Sequence, residues 1–193
     1  MDARHEIVNR RSVGRGPTMT DEPHTSKVSA PAAGGGPAER GAIDRERRDA
    51  ELAEILAAAH TIAVVGIKAG ESDDAWRVPK YLQDHGFAIV PVNPKLDRVL
   101  GESVFPDLRA VQSAGLAIDI VNLFRASDKI PDHVDEILAL SPRPRCVWMQ
   151  LGIQHGASAA RLRAAGIRVV QDRCIMVDHR RLTGAGPSSP GER

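Results

Sequence analysis

Mainly apolar runs alternate with amphipathic stretches through the middle of the chain. Five runs have the character of strands that are buried on both faces of a parallel sheet. They cover residues 61–66, 87–92, 117–124, 145–152 and 167–171. Each run ends in glycine or in a polar turn, and a shorter strand is expected around Val104, after Gly101.

Between these runs, apolar side chains recur at the three- and four-residue spacing of a buried helix face. Leu52, Ile55, Leu56 and Ala59 form such a stripe on a helix expected to start near Asp44. A second helix carries Val78, Tyr81 and Leu82, and a third begins at Pro131 and presents Ile130, Val134, Ile137 and Leu138. An alanine-rich helix is predicted over residues 156–165.

Strands that alternate with helices predict right-handed βαβ units. We therefore expect a three-layer, Rossmann-like α/β domain over residues 44–183, with a mostly parallel sheet of about five to six strands. Residues 1–43 are rich in glycine and proline and poor in large apolar side chains, so they are predicted to be a disordered tail. Residues 184–193 are interpreted in the same way.

Composition narrows the class of protein. Lysine and arginine number 26 and aspartate and glutamate 25, for a net charge of +1, which disfavours nucleic acid as a partner. The sequence has no apolar run of membrane-spanning length and no secretion signal, so we expect a cytoplasmic protein without a membrane partner. The two cysteines, Cys146 and Cys174, form no CxxC motif and no disulfide framework. No protein partner can be named.

Ligands of such sheets bind outside the carboxyl ends of the strands. The candidate binding segments are therefore those that follow the strands, at residues 66–74, 92–98, 124–130, 150–155 and 172–176.

The first two segments carry a glycine turn and a proline turn. Gly66 directly follows the first strand and would let a backbone approach a phosphate, although neither standard nucleotide fingerprint is present. A tight turn with a solvated Lys68 is the alternative. Asn93 stands where an NAD-binding domain has an acidic residue, with Pro94 and Lys95 after it, and this disfavours NAD. Asn93 can equally cap a proline-locked turn.

The next two segments carry groups that suit a nucleotide. Phe124 can stack on a base and Arg125 can hold a pyrophosphate, or Phe124 belongs to the core and Arg125 pairs with Asp128. Gln150 ends the fourth strong strand, before Gly152, and must find backbone or ligand partners if it is buried.

A resemblance joins these features. The motifs are GIK at 66–68, VPKYL at 78–82, PVNPK at 91–95, LGE at 100–102, DIVNLFR at 119–125, VWMQLGI at 147–153 and VVQDRCIMVDHRRL at 169–182. In this order they resemble a bacterial family of stand-alone coenzyme-A-binding domain proteins. The same Rossmann-like domain forms the N-terminal part of the succinyl-CoA synthetase α-subunit. The resemblance spans about residues 50–182.

The resemblance implies that coenzyme A (CoA) binds in the same crevice. It places Gly66, Ile67 and Lys68 at the phosphates and Val92, Asn93, Pro94 and Lys95 beside the adenosine. It places Leu123, Phe124 and Arg125 along the nucleotide, Ile130 as an apolar wall, and Gln150 with Gly152 toward the pantetheine. Many family members have serines where this chain has Lys68 and Ala75. The ligase reaction does not follow, because nothing here resembles the ligase's other domains.

Cys174 is the one reactive-looking group near a strand end. Arg173 can lower its pKa, and His155 or His179 can serve as a base, but a buried structural thiol is the favoured interpretation. A metal site from Cys174, Asp178 and His179 lacks a fourth ligand, so no metal is expected. His85 and His133 are interpreted as solvated helix-surface residues.

The leading hypothesis is non-catalytic binding of CoA or an acyl-CoA at the carboxyl ends of the strands. The alternative is an enzyme that acts on an acyl-CoA through Cys174 or a partner subunit. A nicotinamide-dependent oxidoreductase is the least favoured hypothesis.

Overall fold

The structure, a computed structural model, describes residues 36–184; most of the predicted N-terminal tail and residues 185–193 of the C-terminal one lie outside this range. The strands are β1 (Thr61–Val65), β2 (Ala88–Val92), β3 (Arg98–Val99), β4 (Glu102–Ser103), β5 (Ile120–Leu123), β6 (Cys146–Met149) and β7 (Arg168–Val170). The helices are α1 (Pro37–Ala57), α2 (Asp74–Asp84), α3 (Leu108–Ser113), α4 (Pro131–Ala139), α5 (Gly156–Ala164) and α6 (Ile175–Thr183), with a 3₁₀ turn at Ser127–Lys129.

The main sheet has five parallel strands in the order β2-β1-β5-β6-β7. The short strands β3 and β4 form a separate antiparallel pair. The predicted Rossmann-like α/β fold with a mostly parallel sheet is therefore confirmed. None of the helices between residues 36 and 184 has both the length and the apolar character that crossing a bilayer requires.

Alternating side chains of the central strands pack into two separate cores, one on each face of the sheet. On β1, Ile62 and Val64 pack with buried residues of α1, α2 and α6, whereas Ala63 and Val65 pack with those of α3, α4 and α5. Burial of each large aliphatic side chain stabilises the fold by about 1.5–3 kcal/mol. This double burial explains why the central strands are mainly apolar on both faces.

The first helix begins at Pro37, not near Asp44, so residues 37–43 are helical and not part of a tail. The prediction gave too much weight to glycine and proline content. Proline suits the first helical position, because its fixed φ is helical and its missing N–H would be unpaired there. Ala38, Glu39 and Arg40, which follow, are strong helix formers.

Two helices, α3 and α6, were not predicted, and the strand expected around Val104 lies just before that residue, at Glu102–Ser103. The inward face of α6 carries the buried polar residues Asp178 and His179. Asp178 pairs with Arg173 and Arg181, and the Tyr81 hydroxyl lies 2.9 Å from His179 Nδ1. Polar residues in these positions conceal the apolar face that a helix normally shows.

Groups outside the sheet bond to backbone atoms at both of its outer edges. Beside β2, the Phe105 N–H donates to Pro91 O and the Asn93 N–H donates to Phe105 O, each at 2.9 Å. Beside β7, Nη2 of Arg163 on α5 donates to Val169 O at 3.0 Å.

Candidate functional site

The strand order reverses between β1 and β5. The chain runs from β1 to β2 on one side of β1 and later returns to place β5 on the other side. The carboxyl ends of β1 and β5 therefore flank the position where ligands bind in open α/β sheets. Gly66 follows β1 at this position, and Phe124 and Arg125 follow β5.

Gly66 is held where only glycine fits. Its φ is +84°, and a Cβ built on it would overlap the carbonyl oxygen of Phe124 and lie 2.9 Å from Cδ of Arg125. Its N–H donates to Val92 O at 2.9 Å, which ties the turn to the end of β2 as well. The missing side chain thus lets three strand ends meet closely.

Two clefts open at these strand ends and share Gly66, Asn93, Pro94 and Arg125. The first cleft is also lined by Val65, Val92, Pro106, Asp107, His133 and Glu136. The second cleft is also lined by Lys68, Ala69, Lys95, Leu96 and Phe124. Seven residues named from sequence therefore come together here: Gly66, Lys68, Asn93, Pro94, Lys95, Phe124 and Arg125, with Val92 in the wall of the first cleft.

The three predicted cations differ in how they are held. Lys68 Nζ lies 2.6 Å from Asp73 Oδ2, and this bond, with the Ala75 N–H, holds the pKa of the Asp73 carboxyl below its usual value. Arg125 does not pair with Asp128, whose charged partner is Lys129 at 3.8 Å. Among the ion pairs of residues 36–184, none involves Arg125 or Lys95, so both are available to an anion.

Asn93 forms the capped turn that the sequence allowed. Its Oδ1 accepts the Lys95 N–H at 2.9 Å, and its Nδ2 donates to Ile67 O at 2.6 Å. The carboxamide therefore joins the β2 exit to the β1 exit and fixes the floor of both clefts. It is not free to hold the ribose hydroxyls as the acidic residue of an NAD site does.

The remaining residues predicted from the sequence do not line either cleft. Ile67, Leu123 and Ile130 are completely buried in the two cores, backbone included, so none of them is exposed to a ligand in this structure. Gln150 is buried, and its Nε2 donates to Asn122 Oδ1 at 2.8 Å. The Gly152 N–H donates to Asp172 Oδ1 at 2.6 Å.

His133 and Glu136 line the first cleft and were missed by the sequence analysis. The interpretation of His133 as a solvated residue is wrong, because both ring nitrogens are shielded from solvent and have no hydrogen-bond partner among the described residues. Burial lowers the pKa of His133 below its usual value of 6.5. His85 is half-buried as well, with its Nδ1 2.7 Å from Tyr81 O. The sequence signal was the i, i+3 spacing on α4, which places both side chains on one face.

Both histidines that could serve as a base for Cys174 are bonded to other groups. His155 Nδ1 lies 2.8 Å from Ser158 Oγ at the start of α5, and His179 Nδ1 lies 2.9 Å from the Tyr81 hydroxyl. Within residues 36–184, no hydrogen bond joins the Cys174 thiol to either histidine. The described part of the chain also contains no group of His, Cys, Asp and Glu side chains arranged to hold a metal ion.

Known proteins resemble the chain over this same region. The uncharacterized protein YneT of Bacillus subtilis is 35% identical over 130 residues, which are 67% of this chain and 93% of the relative. A solved Thermus thermophilus structure, described as cell-free ID.343, is 40% identical, with a TM-score of 0.62 over 69% of this chain and 98% of the other. A hypothetical protein from Pyrococcus horikoshii OT3 is 32% identical, with a TM-score of 0.65 over 70% and 92% of the two chains.

The family model that matches is described as a CoA binding domain, and it covers residues 60–180. This range runs from the start of β1 into α6 and includes the whole sheet and both clefts. Together with the sequence identities, this extent establishes that the chain belongs to the family of CoA-binding domains.

Proposed function

We propose that this protein binds coenzyme A, without catalysing its conversion, at the carboxyl ends of β1, β2 and β5. The observation that carries the proposal is the pair of joined clefts at the strand-order reversal, with Arg125 between them. Family membership supports CoA as the ligand.

The second cleft suits the phosphates of CoA. Lys68, Lys95 and Arg125 line it, and charged hydrogen bonds to phosphate are the strongest that such side chains form. Lys95 follows β2, the strand that meets the adenosine ribose in this fold, so we assign it to the 3′-phosphate. Lys68 would have to share its charge between the ligand and Asp73.

The two rival functions find less support in the geometry. Cys174 lies next to α6 with both candidate bases bonded elsewhere, which disfavours an acyl-CoA enzyme that uses this thiol. The bonded carboxamide of Asn93 disfavours a nicotinamide cofactor.

Isothermal titration and thermal unfolding test the proposal. CoA should bind the parent protein and raise its melting temperature in a concentration-dependent way, whereas NAD should do much less. Arg125→Ala should weaken CoA binding by about 1–3 kcal/mol, the range of a charged hydrogen bond. Lys95→Ala should weaken the binding of CoA but hardly change that of dephospho-CoA, which lacks the 3′-phosphate.

Arg143→Ala is the matched control, because Arg143 is an exposed cation that bonds to Ala165 O, away from the clefts. It should bind CoA like the parent. Parent-like binding by the Lys68, Lys95 and Arg125 variants would contradict the location of the site, and an equal or larger stabilisation by NAD would contradict the ligand.

A further inference from the structure

The two clefts differ in charge although they share four residues. The second cleft is lined by Lys68, Lys95 and Arg125 and by no acidic side chain, so that it attracts anions. The first cleft contains Asp107 and Glu136 beside Arg125. Two carboxylates disfavour a phosphate there, because like charges at short distance repel strongly.

The volume and the walls of the first cleft suit one small, neutral group. Val65, Val92, Pro94 and Pro106 provide apolar walls. The volume is about 170 Å³, below the roughly 300–1,000 Å³ of sites that enclose a whole drug-sized ligand. The first cleft can therefore hold a part of a larger molecule whose charged remainder lies in the second cleft, which has a volume of about 480 Å³.

Two polar side chains on α4 remain without partners in this cleft. His133 has two shielded ring nitrogens that form no hydrogen bond with residues 36–184. Glu136, one turn further on, forms no ion pair within that range. Asp107, in contrast, is already used, because its Oδ1 accepts the Ala110 N–H at 2.8 Å and caps α3. A buried imidazole without partners is costly, so a ligand that satisfies it gains binding free energy.

We propose that the first cleft takes the adenine base of the ligand and that Glu136 and His133 recognise its amino-bearing edge, an inference that rests on the proposed CoA binding. Adenine presents an amino donor flanked by ring-nitrogen acceptors. The Glu136 carboxylate accepts from the amino group. The neutral imidazole of His133, after a small rotation of its ring, donates to a ring nitrogen. A base with a carbonyl oxygen in place of the amino group would face the carboxylate with like polarity.

The protonation state of His133 must fit this role. The charged groups that act on it are Glu136 and Asp132 on α4 and Arg125 at the end of β5, with Asp107 lining the same cleft. Burial and Arg125 favour the neutral ring, and the two carboxylates oppose them; burial is the largest effect and lowers the pKa of His133. The imidazole is therefore neutral at neutral pH and can both donate and accept.

The test compares CoA with its 1,N6-etheno analogue, which keeps every phosphate but loses the amino hydrogens and the free N1. By calorimetry, the parent should bind CoA at least about tenfold more tightly than the analogue. Glu136→Ala and His133→Leu should bind the two ligands within about threefold of each other. Asp135→Ala is the control, since this neighbouring carboxylate pairs with Arg161, and it should retain the parent's preference.

The pH dependence of CoA binding distinguishes a base from a phosphate in the first cleft. Between about pH 7.5 and about pH 5, the CoA affinity of the parent relative to that of His133→Leu should change by no more than about threefold, because the imidazole donates to a ring nitrogen in both protonation states. A relative rise of about tenfold or more toward acid would mean that a phosphate lies beside His133, and it would overturn the inference.

Equal binding of CoA and etheno-CoA by the parent, or full preference in Glu136→Ala, would also overturn the inference. If CoA binding still depends on Arg125 in that case, the proposed function stands and only the recognition of the base fails. If the parent binds neither ligand, the proposed function itself fails.

Discussion

Replacement of Gly66 by alanine tests whether the ends of β1 and β5 are packed as closely as the structure describes. An alanine at φ +84° costs about 1–2 kcal/mol, because a left-handed backbone brings Cβ toward the following carbonyl. The added methyl group also overlaps Phe124 O, which is backbone and cannot move aside as a flexible side chain can. Such overpacking typically costs about 1–3 kcal/mol. We therefore expect a total loss of about 2–5 kcal/mol.

Urea unfolding followed by circular dichroism measures this loss. For a domain of this size it corresponds to a decrease in melting temperature of about 6–15 °C. Gly70→Ala is the matched control in the same loop, since no other group lies within 4 Å of the position that the added methyl would take and the φ of Gly70 is not left-handed. The control should remain within about 1 kcal/mol of the parent. If Gly66→Ala is as stable as Gly70→Ala, the close approach of the two strand ends is refuted.

Two further predictions concern groups outside the clefts. Burial raises the pKa of Cys146 to about 12, so at about pH 8 iodoacetamide should label half-buried Cys174 first and reach Cys146 only after unfolding; rapid labelling of native Cys174→Ser would contradict this. Burial and the neighbouring His85 lower the pKa of His179 below 6.5, so the unfolded chain takes up this proton at a higher pH than the folded one. The free energy of unfolding should then be at its full value above about pH 6.5 and decline toward about pH 5. The urea midpoint should decline less in His179→Gln over this range. An equal decline in this variant would count against the buried neutral ring.

The fold was predictable because each central strand carries its own signal. Runs such as residues 62–65 and 146–149 are apolar at every position, which indicates burial on both faces. The alternation with helices then determines a parallel sheet. The predictions failed where tertiary contacts override the local pattern. The inner face of α6 combines Ile175 with the polar residues Asp178 and His179. Arg173 and Tyr81, which bond to these two residues, lie outside the helix, and no pattern within residues 175–183 reveals this.

The candidate site was predictable as a position in the backbone but not as a set of side chains. The ends of β1, β2 and β5 locate Gly66, Asn93 and Arg125, since topology alone brings these points together. Whether a neighbouring side chain turns outward depends on packing, and Ile67, one residue after Gly66, turns into the core. His133 lies on a helix and not at a strand end, so only the packing of α4 against the sheet reveals it.

The bonds at the margins of the sheet bear on assembly. An unpaired strand edge can template pairing with another chain, which leads to aggregation or domain swapping. Here the outer side of β2 already bonds to Phe105, and the outer carbonyl of β7 accepts from the cationic side chain of Arg163. An incoming strand would have to break the first contact or displace a guanidinium from the second. The fold thus disfavours association by sheet extension. Contacts between copies of this chain would have to use the helical faces.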